Sequence, residues 1–373
     1  MNRLLSLAVA PLLLSALRAQ DVGVTFVNGV NTYLEAPYSA QFLPQSGITV
    51  EAWITYDDAP ITAGSWKHPT IARQNPGAGA ESWFLRVNAQ NTGSRILRWK
   101  VVTSNGVAYS VDWTFAAGQL NTWTHVAATF DGTATKLYVN GNVVAQNLSG
   151  NGLPLRDQGG VLRVGTGDDA TSGYEVWNGA IDELRIWPFA RTEADIQSSM
   201  NQKLFLVPGL VETWLFDFDY MDWSSGFVLT PVGSVPLTPN TQLYAAPVVP
   251  ALVGASTPGC TGPLALSPSN APMANTTSTA VCYRTAPNAL AIWAATLGVL
   301  PFGLPVFGFD LWVDPTVLVT VLGTSNGLGA LPFGFTLGGT EPPGFQYALQ
   351  AIVLDSCAPG GLAASNALLM VVQ

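Results

Sequence analysis

The chain has 373 residues and a formal net charge of −9, with 15 lysines and arginines against 24 acidic residues. So few basic residues leave no broad cationic surface for a phosphate backbone, which excludes nucleic acid as the expected partner. The length allows two or three domains, and 37 glycines and 26 prolines with only 10% charged residues favour many short strands over helices.

The N-terminus has the pattern of a secretory signal peptide. Arg3 supplies a positive charge, residues 4–14 form an apolar run, and a segment of small residues ends at Ala19. We assign residues 1–20 to the signal peptide and expect the mature protein to be secreted, either free or at the cell surface. The apolar run is too short for a membrane span, and every later stretch of about 20 residues contains turn formers or polar groups. We therefore expect no membrane span.

Two segments alternate with the period of a half-buried strand. In residues 48–56 an apolar set of Ile48, Val50, Ala52 and Ile54 alternates with a second set that includes Glu51 and Trp53. The apolar set should face a core between two sheets, and the other set should lie on the outer face. Residues 96–103 follow the same pattern, with Arg98 and Lys100 directed away from the core.

Turn pairs divide the stretch 123–142 into strands. Asp131-Gly132 follows the apolar run 126–130, and Asn140-Gly141 follows the alternating residues 136–139. Both pairs suit two-residue turns, because the central residues need a positive φ that Gly and Asn tolerate. The flanking strands are expected to pair as antiparallel neighbours.

One short helix is predicted after residue 191. Thr192 can cap its N-terminus and Asp195, three residues later, can return a hydrogen bond to the Thr192 backbone. Ile196 and Met200 are spaced four residues apart, so both are expected to pack inward.

Four stretches together resemble a known domain family. The sequences WTHVAATFDG from Trp123, LYVNG from Leu137, GAIDELRIW from Gly179 and ARTEADIQ from Ala190 are similar to the laminin-G-like jellyroll domain. That family belongs with the pentraxins and the concanavalin A-like lectin and glucanase sandwiches. The resemblance implies a jellyroll over residues 21–230. This sandwich hosts lectins, adhesion modules and glycosidases alike, so the fold does not decide the activity.

The rest of the chain is predicted to form a linker and a second domain. Residues 231–259 are rich in proline with hardly a charge, which is typical of an extended linker. Residues 260–373 hold apolar segments between Gly/Pro turns, and the sequence LWVDP at 311–315 resembles a C-terminal module of secreted bacterial proteins. The predicted fold class is all-β, a concanavalin A-like jellyroll sandwich followed by a second, smaller β-sandwich.

Three cysteines lie in the last third of the chain. In an oxidising compartment two of them can pair. Cys282 and Cys357 each lie at a predicted strand or strand end, whereas Cys260 lies in a Gly/Pro-rich segment. We expect a Cys282–Cys357 disulfide, with no disulfide at all as the alternative.

Catalytic patterns are weak. A glycosidase on this sandwich needs two carboxylates directed at the sugar, and the nearest pairs are Asp217 with Asp219 and Asp182 with Glu183. Met221 occupies the place where a third acidic residue would extend the first pair, and the second pair should point to opposite faces. We predict a protein that is not an enzyme, with glycoside hydrolase as the least favoured alternative.

The resemblance also implies a calcium site. In jellyroll relatives a structural ion lies between the turn of the first strand and the Ile-Asp-Glu strand, which correspond here to Asn28, Gly29 and Asp182. Hard oxygen ligands of this kind suit calcium. The alternative is that Asp182 accepts hydrogen bonds from backbone amides.

Sugar binding is expected to use aromatic rings against the apolar side of a pyranose. The candidates at outer-face or loop positions are Trp53, Trp66, Trp113 and Trp177, each with core packing as the alternative. We predict a secreted binding protein that recognises an extracellular polysaccharide or a surface glycoprotein. The alternative is a structural or adhesive envelope protein without a sugar site.

Overall fold

The computed structural model describes most of the chain and divides it into two units. The described residues are 17–18, 21–27, 30–45, 47–58, 68–75, 77, 79–88, 95–167, 175–204, 207, 209–217, 219–222, 225–240, 251–268, 277–336, 342 and 345–372. They form 29 strands, named β1–β29 in chain order, and one α-helix. Residues 20–245 make up the N-terminal domain, and residues 246–373 together with β1 (Leu17–Arg18) make up the C-terminal domain. β1 lies within the segment predicted as the signal peptide, so the mature protein expected from the sequence would lack this edge strand.

The N-terminal domain consists of two antiparallel sheets packed face to face. Its elements are β2 (Asp21–Phe26), β3 (Tyr33–Ala36), β4 (Ile48–Ile54), β5 (Thr70–Asn75), β6 (Trp83–Val87), β7 (Ile96–Val102), β8 (Ala108–Thr114), β9 (Thr124–Phe130), β10 (Thr135–Val139), β11 (Asn142–Asn147), β12 (Val161–Val164), β13 (Gly179–Trp187), α1 (Glu193–Ser199), β14 (Glu212–Trp214), β15 (Thr230–Val232) and β16 (Leu237–Asn240). The first sheet has the order β11-β10-β9-β4-β13-β2-β16, with β14 on β13, and the second sheet has the order β15-β3-β12-β5-β6-β7-β8.

Alternating side chains from both sheets fill the core of this domain. The residues of β4 in the first sheet and of β7 in the second that belong to the apolar core are Ile48, Val50, Ala52, Ile54, Leu97, Trp99 and Val101. The faces predicted for both segments are therefore confirmed. Each buried Val, Leu or Ile side chain contributes about 1.5–3 kcal/mol by leaving water, so the core holds the two sheets together.

The two predicted hairpins have different turns. β10 pairs with both β9 and β11, and Asn140 and Gly141 have φ of 48° and 79°, which confirms the two-residue turn. The other connection is longer, because Thr135 pairs directly with Phe130 and leaves four residues in the loop. Asp131 stabilises this longer loop, since its Oδ1 accepts hydrogen bonds from backbone amides two and three residues ahead, at 2.8 and 2.6 Å.

Helix α1 begins as the sequence predicts. The Asp195 amide donates to Thr192 Oγ1 at 3.2 Å, and the Thr192 amide donates to Asp195 Oδ2 at 3.1 Å. Ile196 is fully buried, so the helix packs on the first sheet through its inward face. Among the described residues, no helix is long and apolar enough to cross a membrane.

The described parts of the segment predicted as a linker, 231–259, contain strands instead. β15 pairs with β3 and β16 pairs with β2, so this segment adds an edge strand to each sheet of the N-terminal domain. The domain division falls between residues 245 and 246, not at residue 230. Pro231 and Pro239 lie in these edge strands, where a residue without an amide proton is tolerated. A proline-rich, uncharged composition suits an edge strand as well as a linker, so composition could not distinguish them.

The C-terminal domain is the predicted second, smaller sandwich. Its further strands are β17 (Ala251–Val253), β18 (Pro258–Gly259), β19 (Gly262–Pro263), β20 (Ala265–Pro268), β21 (Thr277–Tyr283), β22 (Leu290–Thr296), β23 (Val299–Val306), β24 (Phe309–Val313), β25 (Val319–Thr324), β26 (Leu331–Thr336), β27 (Gln346–Leu354), β28 (Leu362–Ala364) and β29 (Ala367–Val371). A central sheet of order β1-β17-β29-β27-β22-β25, with β28 on β27, packs on the small sheet β20-β21-β26. The hairpin β23–β24 lies on the opposite face of the central sheet.

The disulfide joins Cys260 to Cys357, so the predicted Cys282–Cys357 pairing is wrong. Cys282 is a free thiol in the core between the sheets, where burial raises its pKa. Asp355 explains the observed pairing. Its carboxylate accepts hydrogen bonds from the Cys260 amide at 3.1 and 3.2 Å and from the Cys357 amide at 2.9 Å. One side chain therefore holds both cysteine backbones together, a tertiary contact that cysteine spacing does not reveal.

Candidate functional site

The outer face of the first sheet is covered by α1 through a buried charged network. Glu51 on β4 is fully buried, and its carboxylate accepts hydrogen bonds from Trp187 Nε1 at 2.7 Å and from Arg191 Nη1 at 2.8 and 3.1 Å. Arg185 Nη1 lies 3.7 Å from the same carboxylate. Arg191 also donates to Ser199 Oγ of α1 at 2.7 Å. These contacts fix the helix on the sheet and close this face to a ligand.

His125 on β9 belongs to the same network. Its Nε2 lies 3.8 Å from Glu51 Oε2, and its ring packs edge-on against Trp53 at 5.5 Å. Burial lowers the pKa of His125 to about 4, with the positive charges of Arg185 and Arg191 acting in the same direction and Glu51 opposing them. The imidazole is therefore neutral at physiological pH and acts as a packing group of this face.

Two of the four predicted sugar-binding tryptophans are buried, so that prediction is wrong for them. Trp177 is fully buried, and its Nε1 donates to the Thr55 carbonyl at 2.9 Å. Trp53 does lie on the outer face of its sheet, but it is only 8% exposed and donates to the Met200 carbonyl, just after α1, at 2.7 Å. Neither ring faces solvent. Trp66 lies outside the described residues.

Trp113 is the third described candidate and occupies a different position. It lies on β8, is partly buried, and packs edge-on against Phe115 with ring centres 4.7 Å apart. Its side chain is on the core-facing side of β8, where it pairs across the sheet with the core residue Leu97 and packs against the core, not on the predicted outer face. It stays a candidate for ligand contact.

The predicted calcium ligands are described only in part. Asn28 and Gly29 lie outside the described residues. Asp182 on β13 is fully buried, and its Oδ1 accepts a hydrogen bond from the Glu183 amide at 2.7 Å. Glu183 has a φ of 51° at a register shift between β13 and β4, so Asp182 supports an irregular backbone there. This contact agrees with the alternative in which Asp182 hydrogen-bonds the backbone. Of the three predicted calcium ligands, only Asp182 lies among the described residues.

One carboxylate of each pair considered for catalysis is in a buried ion pair. Asp217 pairs with Lys203, and both side chains are less than a tenth exposed. Glu183 accepts a hydrogen bond from Arg185 Nη2, on the same strand, at 2.9 Å, and both are almost fully buried. Glycosidases need carboxyl groups that face a bound sugar across a cleft. Asp217 and Glu183 are instead engaged inside the fold.

A buried carboxyl pair that the sequence did not suggest lies at β14. Glu212 is fully buried, and its Oε2 accepts a hydrogen bond from Ser225 Oγ at 2.5 Å. Asp222 is also fully buried and accepts a hydrogen bond from the Thr213 amide at 2.6 Å. Burial, together with the adjacent Asp222, raises the pKa of Glu212 to about 9, against the lowering effect of the Ser225 hydroxyl. Glu212 is therefore protonated at neutral pH.

The outer face of the second sheet carries a dense set of polar side chains. Cross-strand register arranges them in two rows, one of Glu35, Arg163, Arg73, Phe84 and Lys100 and the other of Arg86, Arg98 and Asp112. We call this set the polar face. The outward direction predicted for Arg98 and Lys100 is confirmed, since both are partly exposed while their neighbours on β7 fill the core.

Ion pairs link neighbouring strands across the polar face. Arg98 donates two hydrogen bonds to Asp112, at 2.7 and 2.6 Å, and Arg163 Nε donates to Glu35 at 2.8 Å. All four side chains are between 23% and 40% exposed. Exposed pairs contribute about 0–1 kcal/mol each to stability. They hold donors and acceptors in fixed positions at the surface without being essential to the fold.

Aromatic rings on this face are covered by cations. The Arg86 guanidinium lies 3.9 Å from the centre of the Phe84 ring, and Lys100 Nζ lies 5.4 Å from it. Arg163 lies 5.5 Å from the ring of Tyr33. Cation–π contacts of this kind orient the charged groups over the sheet. Arg86 and Arg163 occupy the polar positions of alternating strands, which is the signal by which the sequence could have identified them.

Comparison with known proteins agrees with this architecture. The family model of the concanavalin A-like lectin/glucanases superfamily matches residues 28–197. Pappalysin-1 from mouse is 36% identical over 84 residues and the human protein 38% over 82 residues; the matches cover 22% and 21% of this chain and 5% of each relative. The chain thus spans a small part of those proteins.

Solved structures with a similar fold have low sequence identity to this chain. A Bacteroides ovatus protein proposed to bind carbohydrate is 22% identical with a TM-score of 0.45, and the alignment covers 60% of each chain. A heptameric SAP-like pentraxin from Limulus polyphemus is 17% identical with a TM-score of 0.43, over 62% of this chain and 100% of the pentraxin.

Proposed function

We propose that the N-terminal domain, which over residues 28–197 belongs to the concanavalin A-like lectin/glucanases superfamily, is a non-catalytic carbohydrate-binding domain of a secreted protein. The polar face is the observation that carries this proposal. A sugar presents hydroxyl groups that both donate and accept, and adjacent guanidinium and carboxylate groups satisfy both needs. The two activities in the name of the superfamily both concern carbohydrates, which supports this ligand class.

The charges of the polar face favour an acidic polysaccharide as the ligand. Four partly exposed cations lie on it among the described residues, from a chain total of 15 lysines and arginines: Arg86, Arg98, Lys100 and Arg163, whereas Arg73 in the same row is buried. The carboxylates paired with them are those of Glu35, Glu81 and Asp112. Arginine binds carboxylate and sulfate groups through paired hydrogen bonds. A glycan that carries such groups complements a cationic face on a chain that is acidic overall.

The burial of the carboxyl groups and their pairing with basic residues support a binding domain that is not catalytic. Asp217 and Glu183 are engaged with Lys203 and Arg185 inside the fold. The most perturbed carboxyl group, on Glu212, is fully buried and contacts Ser225. On the polar face, Glu35 is paired with Arg163 and Asp112 with Arg98. A glycosidase acid instead needs a carboxyl group that keeps its proton beside the sugar.

Secretion is supported by the disulfide of the C-terminal domain. Cys260 and Cys357 are bonded, and structural disulfides form and persist mainly in oxidising compartments. Together with the N-terminal signal pattern, this supports the proposal that the ligand lies outside the cell or on its surface.

A polysaccharide panel tests the proposal. Purified protein is applied to immobilised acidic and neutral polysaccharides at low salt, and bound material is eluted with increasing salt. We expect retention on at least one acidic polysaccharide, with elution at moderate salt because screening weakens exposed charge pairs. No retention on any polysaccharide would contradict carbohydrate binding.

A structural or adhesive protein without a sugar site is the second candidate. One observation favours it, which is an exposed apolar surface on the C-terminal domain with Leu322 84% and Leu290 63% exposed. Large exposed apolar patches mark interaction sites. Retention of surface proteins in the absence of any glycan binding would select this candidate.

A further inference from the structure

Part of one face of the central sheet in the C-terminal domain is apolar and is left uncovered by the described residues. The hairpin β23–β24 packs over another part, where it contacts Ala294, Ala348 and Ala364. Beyond the hairpin the sheet surface forms an open groove of about 420 Å³. Its principal lining side chains are Leu290, Ile292, Leu322, Ile352, Leu354 and Leu362. We call this surface the apolar groove.

The apolar groove is continuous and contains no charged side chain. Register places Ile292 directly between Leu322 of β25 and Ile352 of β27. Leu322, Leu290 and Leu354 are 84%, 63% and 51% exposed. Together they expose on the order of several hundred Å², which is the size of the largest apolar patch on an ordinary monomer. Such a surface is stabilised when an apolar partner covers it.

The hairpin beside the groove forms a rigid ridge. The buried Gln350 side chain donates to the Asp310 carbonyl and accepts from the Trp312 amide, both at 2.9 Å, and so ties the hairpin to the sheet. The hairpin carries Phe302 and Phe307, which are 67% and 77% exposed. Phe307 lies at the turn with a φ of 47°, a conformation that is unusual for a non-glycine residue. A fixed ridge with exposed aromatic rings therefore adjoins an open aliphatic groove.

We propose that the apolar groove is occupied by the hairpin of a second copy of this chain. A two-fold rotation that brings two central sheets face to face exchanges ridge and groove, so each hairpin lies in the groove of its partner. This contact is self-complementary, as a two-fold interface requires. The groove volume accommodates a phenyl ring, and Phe307 is the most exposed ring on the ridge. The proposal is independent of carbohydrate binding.

The charge content of the domain favours a second copy as the occupant. Between residues 246 and 373 the charged residues are only Arg284, Asp310, Asp314, Glu341 and Asp355. Two copies can therefore approach through this domain with little electrostatic repulsion. A membrane surface is disfavoured, because association with anionic lipids relies on clustered basic residues and this range contains a single arginine.

Sedimentation and light scattering of the full-length mature protein test the proposal. We expect a dimer at about 100 µM, the range in which an interface near the ~1,200 Å² lower limit of specific interfaces associates. Phe307→Asp and Leu322→Asp should each raise the dimer dissociation constant at least tenfold. Both positions are highly exposed, so folding is retained, which circular dichroism checks. Leu148→Asp, which changes a 65% exposed leucine in the N-terminal domain, is the matched control.

Mixing the two variants separates reciprocal insertion from nonspecific apolar association. A heterodimer of Phe307→Asp with Leu322→Asp retains one intact contact, between the unchanged Phe307 of one chain and the unchanged groove of the other. We expect the mixture to dimerise more strongly than either variant alone. A monomeric wild-type protein, variants that dimerise normally, or a wild-type monomer that binds neutral lipid vesicles through Leu322 would each overturn the proposal.

Discussion

Arg191 and Glu51 form a buried ion pair, with Arg191 Nη1 2.8 Å from Glu51 Oε1 and the two side chains 6% and 0% exposed. The pair connects the start of α1 to the middle of β4. It holds the helix over the outer face of the first sheet, which leaves the outer face of the second sheet as the polar surface of the domain. The proposed binding face therefore lies on the sheet that α1 does not cover.

Removing one partner of this pair is expected to be costly. Arg191→Ala leaves Glu51 buried without its main partner, which should reduce the free energy of unfolding by about 3–5 kcal/mol. Arg98→Ala removes an exposed ion pair and should cost about 0–1 kcal/mol. Denaturant unfolding of the two variants compares them directly. Equal losses would show that the network around Glu51 does not anchor α1.

Glu212 is expected to make stability decrease with rising pH. An unfolded glutamate has a pKa near 4.5, whereas burial raises the pKa of Glu212 in the fold to about 9. Between these values the folded state keeps a proton that the unfolded state has released. Its contribution is therefore complete below about pH 4.5 and is lost as pH rises toward 9.

Glu212→Gln tests this pH dependence, because the amide remains neutral at every pH. Unfolding free energies at about pH 6 and 9 should differ less for the variant than for the wild-type protein. Glu193→Gln, on the partly exposed surface of α1, serves as the control. An unchanged pH profile in Glu212→Gln would contradict the assignment.

The disulfide is expected to stabilise the C-terminal domain. Cys260 and Cys357 are separated by 97 residues, and in the chain-entropy model a loop of this length is worth about 4–5 kcal/mol. Cys357→Ser should lower the melting temperature of the domain. Cys282→Ala, which removes the free buried thiol, should leave the disulfide intact. Alkylation of the unfolded, unreduced protein at Cys260 or Cys357 instead of Cys282 would contradict the pairing.

Calcium at Asn28, Gly29 and Asp182 stays a prediction with a direct test. A bound ion stabilises the folded state by mass action. If the site exists, calcium should raise the melting temperature of the wild-type protein above its value in EDTA, and Asp182→Asn should lose the shift. The same melting temperature in calcium and in EDTA would leave Asp182 as a residue that supports the backbone of β13.

The sequence predicted those features that depend on local pattern. Alternation located the two faces of β4 and β7, Asn140-Gly141 located a hairpin turn, and Thr192 with Asp195 located the start of α1. Each of these features is decided within a few residues by backbone geometry or side-chain period. The resemblance to jellyroll domains then supplied the fold class of the N-terminal domain.

Features that depend on tertiary packing could not be predicted from local sequence patterns. Trp53 was correctly assigned to an outer face, but sequence could not show that the segment after α1 covers it. The Cys260–Cys357 bond depends on Asp355, and the polar face depends on register across six strands. In each case the deciding contact joins residues far apart in the chain.

Titration of the best-retained acidic polysaccharide into wild-type and variant protein tests whether the polar face is the binding site. Arg98→Ala with Arg163→Ala removes two exposed cations of the polar face, while Lys136→Ala removes one from the first sheet. We predict at least a tenfold loss of affinity for the polysaccharide in the double variant and little change in the Lys136→Ala control. Equal affinity in all three proteins would show that the ligand binds elsewhere and would contradict the polar face as the binding site.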